Sequence, residues 1–322
     1  MSASAASSRN LLRHGNSLRA SGTTLLASDL SLVTAPPIPL VRPIEEHRFA
    51  ACVVTDADNY TELAERMNPC ELVDLLNDYF KTLFAPVQNN GGVVLDVKGD
   101  GLLAVWTGTL SDADLRNSVC KACLEMMKAV DEFNARHPRQ QLGTRIGVGF
   151  GPIALADVGA LSCFQYRAVG DTVNTSSRTE QLNKELGTHV LVPSSVARGN
   201  TEHLFRNLGT FQLRGKRETV DVLELVAGLG TATREQKALC ERFDFALRTY
   251  RAGRYDQAVR LFREIARAYP DDKPTRFYVA RCSEILNRGL QGALRCIVRR
   301  IAIWAQLQEQ RFRARPGRRL HL

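Results

Sequence analysis

The chain has 322 residues, 44% of them hydrophobic and 24% charged, which is enough for two domains with a sizeable core and ordinary for a soluble globular protein. The formal charge of +9 would suggest a nucleic-acid partner, but residues 286–322 alone hold nine Arg against one Glu. The body is therefore near neutral and has no bulk electrostatic case for binding nucleic acid. No run reaches the ~18 apolar residues of a membrane span. Eight cysteines show no disulfide-framework spacing, and Cys120 and Cys123 form a lone C-x-x-C inside a helical pattern, so a reduced, cytoplasmic setting is expected.

Residues 1–44 are rich in Ser, Ala and Thr, with Arg9, Arg13 and Arg19 and no acid before Asp29. That composition is shared with organelle transit peptides, but it carries no helical stripe, so a disordered leader is expected, ending in the Pro-rich stretch 35–40. A first domain is expected over 45–228. It opens with an apolar strand, Arg48–Thr55, that runs into Asp56-Ala57-Asp58-Asn59-Tyr60-Thr61. An amphipathic helix follows over Pro69–Gln88, with Leu72, Leu75, Leu76, Tyr79, Phe80 and Leu83 on one side. Val93–Val97 and Leu102–Trp106 read as a hairpin closed by Lys98-Gly99-Asp100-Gly101. Next come a helix about Asp112–His137, a second hairpin of Thr144–Gly151 and Pro152–Val158, and a helix Thr172–Leu186 stopped by Gly187. Short strands at His189–Val192, Phe205–Leu213 and Val220–Leu225 close the domain. Strands alternating with helices and hairpins predict an α+β sandwich. Residues 229–286 turn all-helical, and 287–322 form a basic, Arg-rich tail with an apolar segment at Leu290–Leu307.

The chemistry is expected where two strand ends carry acids. Asp100 at the hairpin tip is unremarkable turn chemistry by itself. With Asp56 ending a second strand, the two carboxylates can lie side by side in one sheet as a pair of divalent-metal ligands.

Five blocks carry a resemblance: Val54–Thr61 with Leu75–Phe80, Gly91–Asp100, Arg145–Gly151, and Tyr166–Arg178 with its Gly170-Asp171-Thr172-Val173-Asn174 core. In order and spacing they resemble the class III adenylate/guanylate cyclase catalytic domain over residues 47–226. The resemblance implies a ferredoxin-like βαββαβ sandwich with an added strand arm. It also implies formation of a 3′,5′-cyclic nucleotide and pyrophosphate from a nucleoside triphosphate with two Mg²⁺ or Mn²⁺ ions per site. Asp56 and Asp100 match the metal aspartates, with the Ala57 carbonyl as an extra ligand. Asn174 and Arg178, four apart on one helix face, match the residues that orient the ribose and stabilise transition-state charge. Arg145 matches a phosphate-contacting arginine. Lys216, slightly preferred over Arg214, is expected to reach the phosphates, as are the backbone N–H groups of the turn through Asn59, Tyr60 and Thr61. In this family the metal residues and the Asn/Arg pair come from different protomers, which implies a homodimer.

The pattern departs from the family where the base is read, at Asp96 and Arg167. An acid at the first position leans toward GTP, yet an acceptor and a donor serve adenine equally well. Asp96 and Arg167 could also pair with each other across the interface. ATP is the leading expectation, because adenylate cyclases dominate soluble bacterial-looking members of the class, and a guanylate cyclase is the alternative. Lys98, on the Asp96 face by alternation, is a further candidate. A catalytically weak regulatory or scaffold protein with a degenerate base pocket is the competing class, and a diguanylate-type cyclase is weaker because its Gly-Gly-Asp/Glu-Glu-Phe hairpin is absent. Phe245–Phe262, followed by Tyr269-Pro270-Asp271, resembles one tetratricopeptide helix pair. A single copy cannot stand as a solenoid, so it is expected to pack on the first domain, help a dimer form, or bind a protein partner.

Overall fold

The computed structural model describes residues 45–108, 111–160 and 163–291. The expected leader, and the tail beyond residue 291, lie outside the described residues. The strands are β1 (Glu45–Asp58), β2 (Val93–Lys98), β3 (Gly101–Trp106), β4 (Gly143–Ala160), β5 (Cys163–Val169), β6 (Val190–Pro193), β7 (His203–Gln212) and β8 (Thr219–Gly228). The helices are α1 (Tyr60–Arg66), α2 (Pro69–Asn89), α3 (Asp112–Arg136), α4 (Asp171–Leu186), the short α5 (Ser194–Ala197), α6 (Arg234–Arg251), α7 (Tyr255–Ala268) and α8 (residues 273–291). The strands make one sheet of order β2-β3-β1-β4-β6-β8-β7, with β5 paired to β4. Its first half, β2-β3-β1-β4 with α2 and α3 between strands, is the expected ferredoxin-like βαββαβ unit, and an all-α region follows at the C-terminal end.

Alternation along β4 explains how this sheet is covered on both sides. Ile146 and Val148 face α2 and α3 and join one core with Val53, Ala104, Trp106, Leu75, Tyr79, Leu83, Val119, Met126 and Phe133. The intervening Gly147, Gly149 and Gly151 face α4. A Cβ at Gly147 would collide with the α4 backbone at Ser176 and Glu180, and one at Gly149 would stand 2.6 Å from the Thr172 carbonyl. The strand thus presents a smooth groove in which α4 lies against backbone. Ser176 donates from its hydroxyl to the Cys52 carbonyl at 3.1 Å, and the Asn183 amide donates to the Ile146 carbonyl at 3.0 Å.

One expected hairpin does not form. β4 runs without a break through Gly151-Pro152 to Ala160, and its hairpin partner is β5. Pro152 falls between the residues of β4 that pair with β6 (Ile146, Gly147) and those that pair with β5 (Ala154–Ala160). A missing N–H costs no ladder bond on that side, so the Gly-Pro pair does not act as a turn. The β4–β5 hairpin is the added strand arm.

The helices α6–α8 cover the α4 side of the other half of the sheet. Phe243, Leu247, Phe262, Ile265 and Tyr278 pack on Leu191, Leu208 and Val222 and on Leu182 and Leu186 of α4. The expectation that this region packs on the first domain holds. A buried ionic triad fastens it: Arg206, 4% exposed, donates to Glu224 (Nε–Oε2 2.8 Å) and to Asp272 (Nη1–Oδ1 2.7 Å). Asp272 opens α8 by also accepting from the Thr275 backbone N–H at 3.1 Å. Replacing Arg206 by Ala would strand two buried carboxylates. It should lower unfolding free energy by about 3–5 kcal/mol in urea denaturation, whereas removing a charge at the exposed pair Lys81–Asp78 should change it by less than about 1 kcal/mol.

Candidate active site

The tip of the β2–β3 hairpin is pressed against the end of β1. Gly99 takes the left-handed backbone (φ 62) that the turn needs, and at Gly101 a Cβ would collide with the Thr55 carbonyl. Thr55 also accepts the Leu102 N–H on its hydroxyl at 3.2 Å. This close approach brings Asp100 to the Asp56–Ala57 backbone. The Asp100 carboxylate accepts from the Ala57 N–H as well as from its own backbone, yet its pKa is raised, first by desolvation and then by the charge of Asp56. Two strand ends therefore hold two like charges within electrostatic reach. Among the described residues no group of three or more His, Cys, Asp or Glu side chains is arranged to hold a metal. A two-carboxylate donor set fits Mg²⁺, which takes one or two protein carboxylates and completes its shell with phosphate and water.

Arg145, opposite Asp56 in the β1–β4 register, is placed differently from the phosphate contact expected of it. Its side chain is 6% exposed and ion-paired to Asp56, to Asp58 and, through Nε at 3.2 Å, to Glu180 of α4. Asp56 and Asp58 stay partly open to solvent, whereas Glu180 is buried with Arg145. Burial, then the Asp56 charge, push Glu180 up to about 7 against the opposing pull of Arg145. Below the carboxylates the Tyr79 hydroxyl shares a 2.8 Å hydrogen bond with Thr144, its pKa raised by burial and by Asp100 and Asp56. Sequence reasoning missed Asp58, Glu180 and Tyr79 as parts of this cluster. Asp58 was visible as a neighbour of Asp56, but Glu180 is brought in only by the docking of α4.

Asn174 and Arg178 do share a helix face, as their spacing predicts, but not the face that meets the carboxylates. α4 turns Thr172, Ser176, Thr179, Glu180 and Asn183 inward, while Asn174 is exposed and Arg178 half-buried. Arg178 donates to Gln181 at 3.3 Å. Lys216, from the β7–β8 turn, reaches the first turn of α4 and donates to Asp171 and to the Thr175 hydroxyl, both at 2.6 Å. One chain thus gathers Asn174, Arg178 and Lys216 on the outside of α4 and Asp56 and Asp100 beside its inner face.

Of the base-reading candidates, Asp96 is half-buried on β2 and forms no side-chain hydrogen bond or ion pair among the described residues. Lys98 is exposed two residues further along the same strand. Arg167, exposed on β5, gives its Nε (3.0 Å) and Nη2 to the Gln165 side-chain oxygen, so within one chain it does not pair with Asp96. Asn59 adopts left-handed backbone (φ 68) and sets the entry to α1, which begins at Tyr60-Thr61.

The model of the adenylate and guanylate cyclase catalytic domain family matches residues 43–224. The chain belongs to that family. It is 32% identical over 176 residues to adenylate cyclase 1 of Rhizobium meliloti, covering 53% of this chain and 26% of the relative. It is 34% identical over 162 residues to atrial natriuretic peptide receptor 2 of Homo sapiens, covering 49% and 15%. The chain thus spans well under half the length of these curated relatives. Among solved structures it is similar in fold to the adenylyl cyclase CyaB from P. aeruginosa (TM-score 0.52, 19% identity, 60% of this chain and 98% of that one). The guanylyl cyclase Cya2 is matched to the same degree (TM-score 0.52, 23% identity, 59% and 98%). No helix among the described residues is long and apolar enough to cross a membrane.

The raised Glu180 has a measurable signature. The folded chain keeps this proton up to about pH 7, while the unfolded chain releases it near the ordinary 4.5. In that window the folded state binds more protons, so in EDTA its thermal stability should fall as pH rises from about 5 to about 8. Glu180→Gln should flatten that slope.

Proposed function

We propose that the chain is a nucleotidyl cyclase that converts ATP, or alternatively GTP, into the 3′,5′-cyclic nucleotide and pyrophosphate at the interface of a homodimer in the cytoplasm. The observation that supports this is that one chain carries Asp56 and Asp100 beside the buried face of α4 and Asn174 and Arg178 on its outer face. Asp56 and Asp100 would hold the divalent cations, Mg²⁺ or Mn²⁺, which when bound acidify the 3′-hydroxyl and offset phosphate charge. The Ala57 carbonyl stands at the same strand end. Asn174 positions the ribose for in-line attack of the 3′-oxygen on the α-phosphorus. Arg178 and Lys216 donate to the phosphate oxygens as negative charge builds there. Lys216 is prepared for this by Asp171 and Thr175, which hold its ammonium at the first turn of α4. Arg145 acts behind the carboxylates, fixing Asp56 rather than touching phosphate.

The base is read by an acceptor and a donor. Asp96 accepts from adenine's amino group while Arg167, held through Gln165, donates to N1; the same two groups fit N1–H and O6 of guanine. A second copy of the chain is supported by exposed apolar side chains on the catalytic sheet and its arm: Phe49, Val93, Val97, Val158 and Val169. The α6–α7 pair is a tetratricopeptide-like unit used here to cover a sheet.

Purified protein with Mn²⁺ should form cyclic AMP from ATP, and any cyclic GMP from GTP should be slower. Arg178→Ala should lower turnover roughly 10²- to 10³-fold. No cyclic product from either nucleotide would reject the proposal. Mixing an Asp56→Ala chain with an Arg178→Ala chain should restore activity through heterodimers carrying one intact site, and failure to do so would reject the shared interface.

A further inference from the structure

One concavity among the described residues is lined by cations rather than by Asp56 and Asp100. It is a groove of about 610 Å³ between α4, the end of β7 with its following turn, and α8. Arg178 and Lys184 come from α4, Arg214 from the turn and Arg281 from α8, with Phe211 and Phe277 between them. Phe277 and Arg281 lie beyond the residues matched by the family, which end at 224. We infer that this groove is a binding site for a phosphate-bearing polyanion, assembled jointly by the catalytic domain and the appended helix.

The charges carry the inference. Glu185 is the one carboxylate among the lining residues against four cations. None of the four has an acidic ion-pair partner within 4 Å among the described residues. Arg178 is held by the neutral Gln181, and Arg281 by the neutral Tyr250 hydroxyl (2.9 Å) and the Phe277 ring (5.8 Å to its centroid). Neighbouring cations on the same side of the sheet are neutralised: Lys216 by Asp171, Arg206 by Glu224 and Asp272, Arg251 by Asp221. Lys184 also lowers the pKa of Asp100 and Glu180 by its charge, so the groove adjoins the carboxylate cluster. Like charges gathered without a counter-ion raise the free energy of the empty protein, and a multivalent anion relieves that. Guanidinium forks match phosphate oxygens in pairs, and the volume suits a small ligand rather than a chain. Pyrophosphate, the leaving group of the proposed reaction, has this chemistry; Arg178 is shared with that reaction, whereas Phe277 and Arg281 belong to the groove alone.

The test is calorimetric titration of the full chain in EDTA with pyrophosphate, comparing wild type with Arg281→Gln, Arg281→Lys and Lys81→Ala, each checked for folding by near-UV circular dichroism. Wild type should bind, Arg281→Gln should weaken binding roughly ten-fold or more, Arg281→Lys should recover part of it, and Lys81→Ala, an exposed lysine on α2, should bind as wild type. Pyrophosphate bound in preference to inorganic phosphate identifies a two-phosphate ligand such as the leaving group. Equal binding identifies free phosphate, and both results uphold the site. Wild type that does not bind, or affinity that Arg281→Gln leaves unchanged, overturns it. Binding that depends on Arg281 in a chain with no cyclase activity rejects the proposed function and leaves this site standing.

Discussion

One buried guanidinium ties the candidate site together. Arg145 stands at the start of β4 and pairs with the end of β1 through Asp56 and Asp58 and with α4 through Glu180. Three carboxylates around one cation leave the cluster with excess negative charge; burial first, and then the charge of Asp56, raise the pKa of Glu180 and of the nearby Asp100. A site so arranged is short of positive charge. That is the electrostatic state in which a divalent cation and the backbone N–H donor of Ala57 have most to contribute.

The glycines of β4 give this cluster its geometry. With no side chains at 147, 149 and 151, α4 rests directly on the strand, and Glu180 is close enough to reach Arg145. The same close seating decides what the other side of α4 can present. Because Thr172, Ser176, Glu180 and Asn183 are consumed by the sheet, the outward residues Asn174 and Arg178 are left to meet whatever approaches from outside. Under the proposed function, these outward residues serve the carboxylates of a second copy of the chain.

Much of this was legible in the sequence. The apolar run ending at Asp56, the Gly-Asp-Gly turn and the four-residue spacing of Asn174 and Arg178 are local signals, and local signals survive folding. Lys216 lies in the turn between β7 and β8, and its contacts with Asp171 and Thr175 of α4 come from tertiary packing. The expected turn at Gly151-Pro152 failed for a reason invisible locally: whether a proline ends a strand depends on which neighbours pair there. Arg145 was assigned to phosphate by its motif, but its partners come from β1 and α4, far away in sequence. The C-terminal groove was hidden for the same reason, since Arg178 and Arg281 are joined only by tertiary packing.

The triad of Arg206, Glu224 and Asp272 bears on how this protein can be inherited and rebuilt. The family-matched segment ends at Glu224, in the middle of β8 and at one of the triad's own members. A catalytic module excised at that point would lose the last residues of its strand and bare the apolar face formed by Leu191, Leu208 and Val222. It would also leave Arg206 short of a counter-charge. The smallest portion that can be transplanted as a closed body therefore runs on through the helices, and a recombination event that swapped only the catalytic segment would deliver an open edge. In this chain the helical extension is part of the catalytic domain's wall.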